Sequence, residues 1–155
     1  MSTGFVQRFK GKITAVPAGL WVGAFQLPFN GIANEAVGLT AVGTSRANAL
    51  QLSAVNNFVA TAASSAVGVI LPAALGPLPG TTNQSLVLGT EIFVYNDGPS
   101  NAFNVYASSL DTIDTIAGST GVVLTNAYFC MYVLSALSST VGAWVSYRFP
   151  IVRSA

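Results

Sequence analysis

The chain has 155 residues, of which 52% are hydrophobic and only 7% are charged, and its formal net charge is +1. A chain of this length fits one domain with a sizeable core, but ordinary soluble domains are about one quarter charged. A lone monomer with so few charges would expose much uncharged surface and would tend to associate. The composition therefore favours burial in a membrane or in a large assembly.

A membrane-spanning helix needs about 20 consecutive apolar residues, and the sequence contains no such run. Residues 13–29 and 67–78 are each interrupted by two prolines, and residues 127–137 form an apolar stretch that is too short. The prolines also make 13–29 a poor signal peptide, although basic residues precede it. We therefore expect an assembly rather than a membrane protein.

The side chains that most often carry catalysis are scarce. The sequence has no histidine, which excludes a His-ligated metal and a Ser-His-Asp triad. Cys130 lies in an apolar run and is expected to be a buried small hydrophobe rather than a nucleophile. Asp111 and Asp114 are the closest pair of carboxylates, and turn or cap roles suit them better than a calcium site. We expect no enzyme activity, no cofactor, no metal and no small-molecule substrate.

Residues 1–44 form a first region in which aromatic and basic residues are mixed. From Phe5 to Ile13 the chain alternates, with Phe5 and Phe9 on one side and the basic residues on the other, as in an edge strand. The region is either an extended arm with aromatic anchors, which packs on neighbouring subunits, or the first strands of the main fold. The candidate contact residues for a capsid or subunit interface are Phe5, Arg8, Phe9, Lys10, Lys12, Trp21, Phe25 and Phe29.

Residues 45–155 are expected to form the body of the protein. Residues 45–52 could begin a short helix capped by Thr44 or Ser45, but strand composition from 50 to 62 favours a strand. Residues 67–71 are typical of a buried strand that Pro72 ends. The loop over 73–85 is either a functional surface feature or a passive crossover between sheets.

The stretch from Glu91 to Tyr106 is the centre of the predicted body. Glu91 to Tyr95 is rich in β-branched and aromatic residues, the composition of a half-buried strand. Asn96, Asp97 and Gly98 then supply turn residues, and Phe103 to Tyr106 resumes the strand pattern. The sequence predicts a β-hairpin here, or a close relative of one.

The remaining elements are also strands. Residues 110–116 indicate an irregular strand and turn, residues 121–124 a short strand and residues 127–134 a buried core strand. In the last strand Val145, Tyr147 and Phe149 share one face, and the alternate residues share the other.

The predicted fold is all-β. About eight short strands at spacings near 8–12 residues are typical of an antiparallel β-sandwich or jelly-roll-like barrel, here with an extended N-terminal arm. Since the net charge is only +1, no strong field exists to attract nucleic acid.

Several segments of the chain, taken in order, resemble small virion proteins of tailed bacteriophages, especially capsid decoration (cement) proteins. The order is an apolar strand ending in Leu-Pro, a Gly-Thr strand ending in Asn-Asp-Gly, an Asn-Val-Tyr strand, an Asp-Thr-Ile turn, a hydrophobic strand and a terminal tryptophan. The matching residues are 69–72, 89–98, 104–106, 114–117, Phe129, Cys130 and Trp144. The sequence departs from the family pattern at Ala107, where the family usually has proline.

The resemblance implies a β-sandwich-like protein, commonly a homotrimer, that is made in the host cytoplasm and sits on the outer surface of the virion. Its partner would be the major capsid protein, at points where copies of that protein meet. The resemblance implies no catalysis. The alternative is a phage tail, head-fibre or receptor-binding module of similar β-sandwich fold.

Overall fold

The computed structural model describes residues 21–22, 25–26, 33–75, 86–98, 101–108 and 110–152. The described residues form thirteen strands: β1 (Trp21–Val22), β2 (Phe25–Gln26), β3 (Ala33–Ala41), β4 (Leu50–Gln51), β5 (Ala54–Ala62), β6 (Gly68–Ile70), β7 (Glu91–Asn96), β8 (Phe103–Tyr106), β9 (Thr112–Ile113), β10 (Ile116–Ala117), β11 (Val122–Leu124), β12 (Tyr128–Leu137) and β13 (Gly142–Pro150). Eight of them are three residues or longer. The predicted all-β class is confirmed.

Strands β3 to β13 form two sheets. The larger has seven strands in the order β10-β9-β13-β12-β7-β5-β3, and the smaller has four in the order β11-β8-β6-β4. Both are mixed rather than wholly antiparallel: β5 runs parallel to β3 and β7, and β6 runs parallel to β4 and β8. Strands β1 and β2 pair with each other in a sheet of their own.

The parallel pairs follow from the path of the chain between β3 and β8. Successive strands alternate between the two sheets, so that β3, β5 and β7 enter the larger sheet while β4, β6 and β8 enter the smaller one. Since the chain returns to each sheet only after crossing the other, consecutive strands within a sheet point the same way. The crossover that parallel strands require is usually a helix, and here a strand of the opposite sheet supplies it.

The predicted hairpin over residues 91–106 is wrong. Strand β7 lies in the seven-stranded sheet and β8 in the four-stranded sheet, so the two do not pair. Asn96 fixes this crossing because its buried amide Nδ2 donates to the carbonyl oxygens of Asn101 at 2.9 Å and Leu124 at 3.1 Å. A turn-rich sequence can therefore carry the chain between two sheets as well as around a hairpin.

Both interpretations of residues 45–52 apply in part. Residues Arg46–Asn48 form a 3-10 helix, and the Ser45 amide donates to Asn48 Oδ1 at 2.9 Å. The chain then becomes extended at Leu50, where β4 begins. Residues 110–117 follow the predicted strand and turn, as the short antiparallel pair β9–β10.

The two sheets contribute to one hydrophobic core. Its largest fully buried side chains are Trp144, Tyr132, Phe103, Leu52, Leu71, Ile92, Ile113, Leu124, Leu134, Val59, Val69 and Val94. The alternation predicted for the last strand is confirmed, because Trp144 is buried while Tyr147 and Phe149 are exposed. A sandwich or jelly-roll geometry stays a prediction, and so does the division of the chain at residue 44. Strand β3, within the first region, pairs with β5 of the body.

Candidate functional site: the outward face of the seven-stranded sheet

Four aromatic side chains line up across the face of the seven-stranded sheet that points away from the core. Phe58 of β5 is in register with Tyr95 of β7, Tyr95 with Phe129 of β12, and Phe129 with Phe149 of β13. The ring centroids are 4.2 Å, 5.2 Å and 5.0 Å apart along this sequence of pairs. We call Phe58, Tyr95, Phe129 and Phe149 the aromatic row.

A second row lies next to the first, two residues along each strand. Phe93 of β7 is in register with Met131 of β12, and Met131 with Tyr147 of β13. Phe93 also stacks on Tyr95, with 6.5 Å between ring centroids. The two rows together make a continuous apolar surface, which we call the outward face.

The outward face is open to solvent at its β13 side. Tyr147 is 48% exposed and Phe149 is 41% exposed, whereas Phe58, Tyr95 and Phe129 are half-buried by their neighbours in the row. Burial raises the pKa of the Tyr95 phenol above its usual value. Exposed aromatic side chains in one contiguous patch mark surfaces that associate with other molecules, so this face is the candidate interaction surface.

Among the described residues, the charged groups on this face are acidic and lie at its margins. Glu91 is exposed on β7 and is in register with Val133. Glu35 is exposed on β3, in register with Asn56, which in turn is in register with Phe93. In contrast, Arg148 is in register with the buried Cys130 and therefore points to the other side of the sheet. The outward face is thus apolar with acidic margins.

The orientation of the rings limits what the aromatic row can bind. The planes of Phe58 and Tyr95 differ by 6°, and those further along differ by 22–23°. Rings that stack on one another across neighbouring strands cover each other's faces and turn their edges to solvent. A sugar that stacks on aromatic residues needs an open ring face, so the row suits a protein surface better than a glycan.

The carboxylates play structural parts. Asp111 is buried, and its two oxygens accept from the amides of Ala74 at 2.9 Å and Gly142 at 2.7 Å. Asp114 accepts from the Ser146 amide at 2.8 Å and also from the Ser146 hydroxyl. Asp114 lies in the turn between β9 and β10, as predicted. The carboxylates of both residues, however, bond to segments 31 to 37 residues away rather than capping a local turn. Among the described residues, no group of three or more Cys, Asp or Glu side chains could hold a metal ion.

Cys130 is buried, as the sequence predicts. Burial raises the pKa of its thiol, against smaller opposing effects of Tyr132, Arg148 and Ser146. Because the thiolate is the reactive form, this thiol is held in its unreactive state.

The interface residues predicted from sequence fall largely outside the described part of the chain. Trp21 lies in β1 and Phe25 in β2, while the others, Phe5, Arg8, Phe9, Lys10, Lys12 and Phe29, lie outside the described residues. Sequence reasoning missed the outward face. Alternation within the last strand indicated only one part of the face, the expected grouping of Val145, Tyr147 and Phe149, and did not show which other strands complete it.

Comparison of the chain with protein-family models, with curated proteins and with solved structures found no match in any of the three. In the part of the chain that the structure describes, no helix has the length and apolar character needed to cross a membrane.

Proposed function

We propose that this protein is a non-enzymatic structural component of a virion, a cement protein that binds the outer surface of a phage capsid and stabilises the contacts between major capsid proteins. The observation that carries the assembly role is the outward face, on which seven aromatic and apolar side chains of the two rows lie together. The capsid as partner rests on the resemblance of residues 69–144 to decoration proteins.

The low fraction of charged residues is the first physical argument for an assembly role. With 7% charged residues, the chain has few charged groups with which to keep a monomer apart from its neighbours. Interfaces of permanent assemblies are larger and more apolar than those of transient complexes. The outward face, with its aromatic rows and its acidic groups only at the margin, has the composition of such an interface.

The architecture fits a protein that reinforces a joint. Side chains of both sheets form one core. Strand pairing in the larger sheet joins segments of the chain from residue 33 to residue 150. A body tied together in this way resists deformation when its partners move. The contact residues predicted in the first region, from Phe5 to Phe29, would extend the contact with the capsid beyond the body. The oligomeric state that we expect is a homotrimer.

The test is co-sedimentation of the full chain with empty capsids of its virus, after its mass in solution is measured by light scattering. A trimer that binds capsids at lattice stoichiometry is the expected result. Tyr147→Asp, which places a charge on the outward face, should reduce binding at least tenfold. Val123→Asp is the matched control, because Val123 is also 48% exposed but lies in the four-stranded sheet.

Two outcomes would contradict the proposal. A monomer that does not sediment with capsids would remove both the assembly role and the partner. Binding to a glycan array without capsid binding would favour the alternative, a tail, head-fibre or receptor-binding module.

A further inference from the structure

The two central strands of the outward face are apolar on both sides of the sheet. Residues 128–134 of β12 read Tyr-Phe-Cys-Met-Tyr-Val-Leu and include no charged residue. In β7, Ile92 and Val94 are buried in the core, whereas Phe93 and Tyr95 belong to the outward face. Strands of this composition are typical of a sheet that is covered on both faces. The larger sheet therefore has the core on one side and an apolar face for a further layer on the other.

The centre of the outward face presents side chains rather than free backbone groups. Phe93 and Tyr95 lie on β7, between β5 and β12, and Phe129 and Met131 lie on β12, between β7 and β13. The backbone N–H and C=O groups of these strands are therefore used in pairing with their neighbours. A molecule that covers the face must satisfy its own backbone groups. An α-helix does so within itself, whereas a single extended strand laid on the face does not.

The apolar part of the face has the size of one helix. Four strands at a spacing of about 4.8 Å place β5 and β13 about 14 Å apart, and the two rows are about 7 Å apart along the strands. A helix is about 10–12 Å in diameter and rises about 1.5 Å per residue, so about ten residues lying along the rows cover both. A standard interface buries about 800 Å² on each partner, which is more than a face-to-face contact of two such regions would provide.

The charge at the margin of the face selects among partners. Glu35 is in register with Asn56, which is in register with Phe93, so Glu35 continues the second row toward β3. Glu91 lies two residues before Phe93 on β7, and both carboxylates are exposed. Among the described residues, two copies face to face would bring acidic margins together, because Arg148 points to the other side of the sheet. Opposite charges across an interface attract and like charges repel, so the face fits a different protein that brings basic side chains.

We propose that the outward face binds one amphipathic α-helix of a partner protein. The apolar stripe of this helix lies on the aromatic row and the second row, and its Lys or Arg side chains reach Glu35 and Glu91. For a cement protein the helix would belong to the major capsid protein. The inference rests on the proposed function for the use of this face as the contact surface, and not for the capsid as the partner.

Three synthetic peptides test the occupant without a capsid. The first, of about 14 residues, the length at which an isolated helix becomes marginally stable, has Leu at helical spacing and Lys elsewhere. The second replaces every Lys with Glu. The third has the composition of the first but alternates Leu and Lys, which is the period of a strand. Each carries a fluorescent label, and its anisotropy is followed as the full-length protein is added. We expect the first peptide to bind at least tenfold more tightly than either of the others.

Substitutions in the protein locate the bound peptide. Tyr147→Asn removes an aromatic side chain from the second row without adding a charge, and should weaken binding of the first peptide at least fivefold. Val123→Asn is the matched control, because Val123 is equally exposed but lies in the four-stranded sheet, and it should leave the affinity unchanged. Circular dichroism and urea unfolding establish that each variant is folded.

A charge reversal tests the acidic margin. Glu35→Lys combined with Glu91→Lys should weaken binding of the Lys peptide at least tenfold and strengthen binding of the Glu peptide. Val123→Lys, which adds a positive charge away from the face, is the control and should change neither affinity by more than about twofold, because exposed charges beyond a Debye length are largely screened.

Four results would overturn the proposal. Equal binding of the Lys and Glu peptides would mean that the acidic margin does not select the partner. Equal binding of the helical and alternating peptides would mean that the occupant is not a helix. Binding that survives Tyr147→Asn unchanged would place the peptide elsewhere on the molecule. If none of the peptides binds, the face does not accept a helix of this kind.

The two proposals can fail separately. Selective binding of the helical Lys peptide without binding to capsids would retain the helix site and remove the cement role. Capsid binding that Tyr147→Asp weakens, without binding of any peptide, would retain the cement role and remove the helix site.

Discussion

The rings of Phe58 and Tyr95 stack with 4.2 Å between their centroids and 6° between their planes, although 36 residues of sequence separate the strands at this point. The contact exists because β5 and β7 run parallel in the same sheet. This contact is the first one in the aromatic row. Its contribution to the free energy of unfolding therefore indicates how well the row is ordered before any partner binds.

We expect Phe58→Leu and Tyr95→Leu to be coupled. Stacked aromatic pairs contribute about 0.5–1.5 kcal/mol beyond the area they bury, and a double-mutant cycle in urea unfolding measures that coupling directly. Phe58→Leu with Phe149→Leu is the matched control, since these rings stand at opposite ends of the row and their effects should add. Coupling as large in the control as in the stacked pair would show that the effect is not local.

Asp111 joins three segments of the chain through hydrogen bonds. Its carboxylate accepts from the amides of Ala74 and Gly142 inside the protein. Asp111→Ala leaves two buried donors unpaired, at about 1–3 kcal/mol each, so we expect a loss of about 2–6 kcal/mol in the free energy of unfolding. Asp111→Asn, which retains one acceptor oxygen, should lose less.

Urea unfolding followed by tryptophan fluorescence measures both variants, and exposed Glu91→Gln serves as the control. A surface substitution of that kind changes stability by no more than about 0.5 kcal/mol. If Asp111→Ala were no more destabilising than Glu91→Gln, the two amide contacts would not be structural.

Strand composition and alternation allowed much of the fold to be predicted from sequence. Period-two alternation predicted that Trp144 and Tyr147 lie on opposite faces of the last strand, whereas the structure shows which of the two faces is buried. The pairing of strands did not follow, because it depends on contacts between distant segments. Asn96 illustrates this, since its neighbours have the composition of a hairpin turn while its side chain ties the chain to Leu124 of the other sheet.

The candidate site was missed for the same reason. The aromatic residue of each strand can be identified in the sequence. The alignment of Tyr95 with Phe129, however, depends on the register between strands β7 and β12. Register is set by which strands pair and by how they meet. No pattern within a single strand contains that information.

Two glycines with the same backbone conformation separate steric from conformational effects. Gly38 and Gly43 both have φ of +69°, a region that favours glycine. A Cβ at Gly38 would meet nothing within 4 Å, whereas one at Gly43 would collide with the backbone carbonyl of Asn48. We expect Gly38→Ala to cost about 1–2 kcal/mol for the left-handed backbone alone.

Gly43→Ala should cost at least about 1 kcal/mol more, because the chain must also move away from Asn48. Thermal and urea unfolding of the two variants provide the comparison, with Gly38→Ala as the matched control. Equal losses in the free energy of unfolding would mean that the segment around Asn48 moves away from the added Cβ at no cost in stability.

Alkaline pH should destabilise the protein through Tyr132. Burial raises the pKa of its phenol well above the usual value of about 10, and burial also raises the pKa of the Cys130 thiol. Both groups stay neutral in the native state at a pH where the unfolded chain releases their protons. The free energy of unfolding is therefore unaffected by them below about pH 8 and falls as the pH rises through the unfolded values toward the higher native values.

Tyr132→Phe removes the group with the larger effect, so we expect the free energy of unfolding of that variant to fall less steeply between about pH 9 and 11, the range in which an unfolded tyrosine with a pKa of about 10 ionises. Urea unfolding at a series of pH values gives the slope, which is informative even if the substitution alters stability at neutral pH. Exposed Tyr147→Phe is the control and should keep the slope of the unsubstituted protein. Because the phenol of Tyr132 is fully buried among core residues, an unchanged slope in Tyr132→Phe would mean that alkaline unfolding begins elsewhere in the molecule.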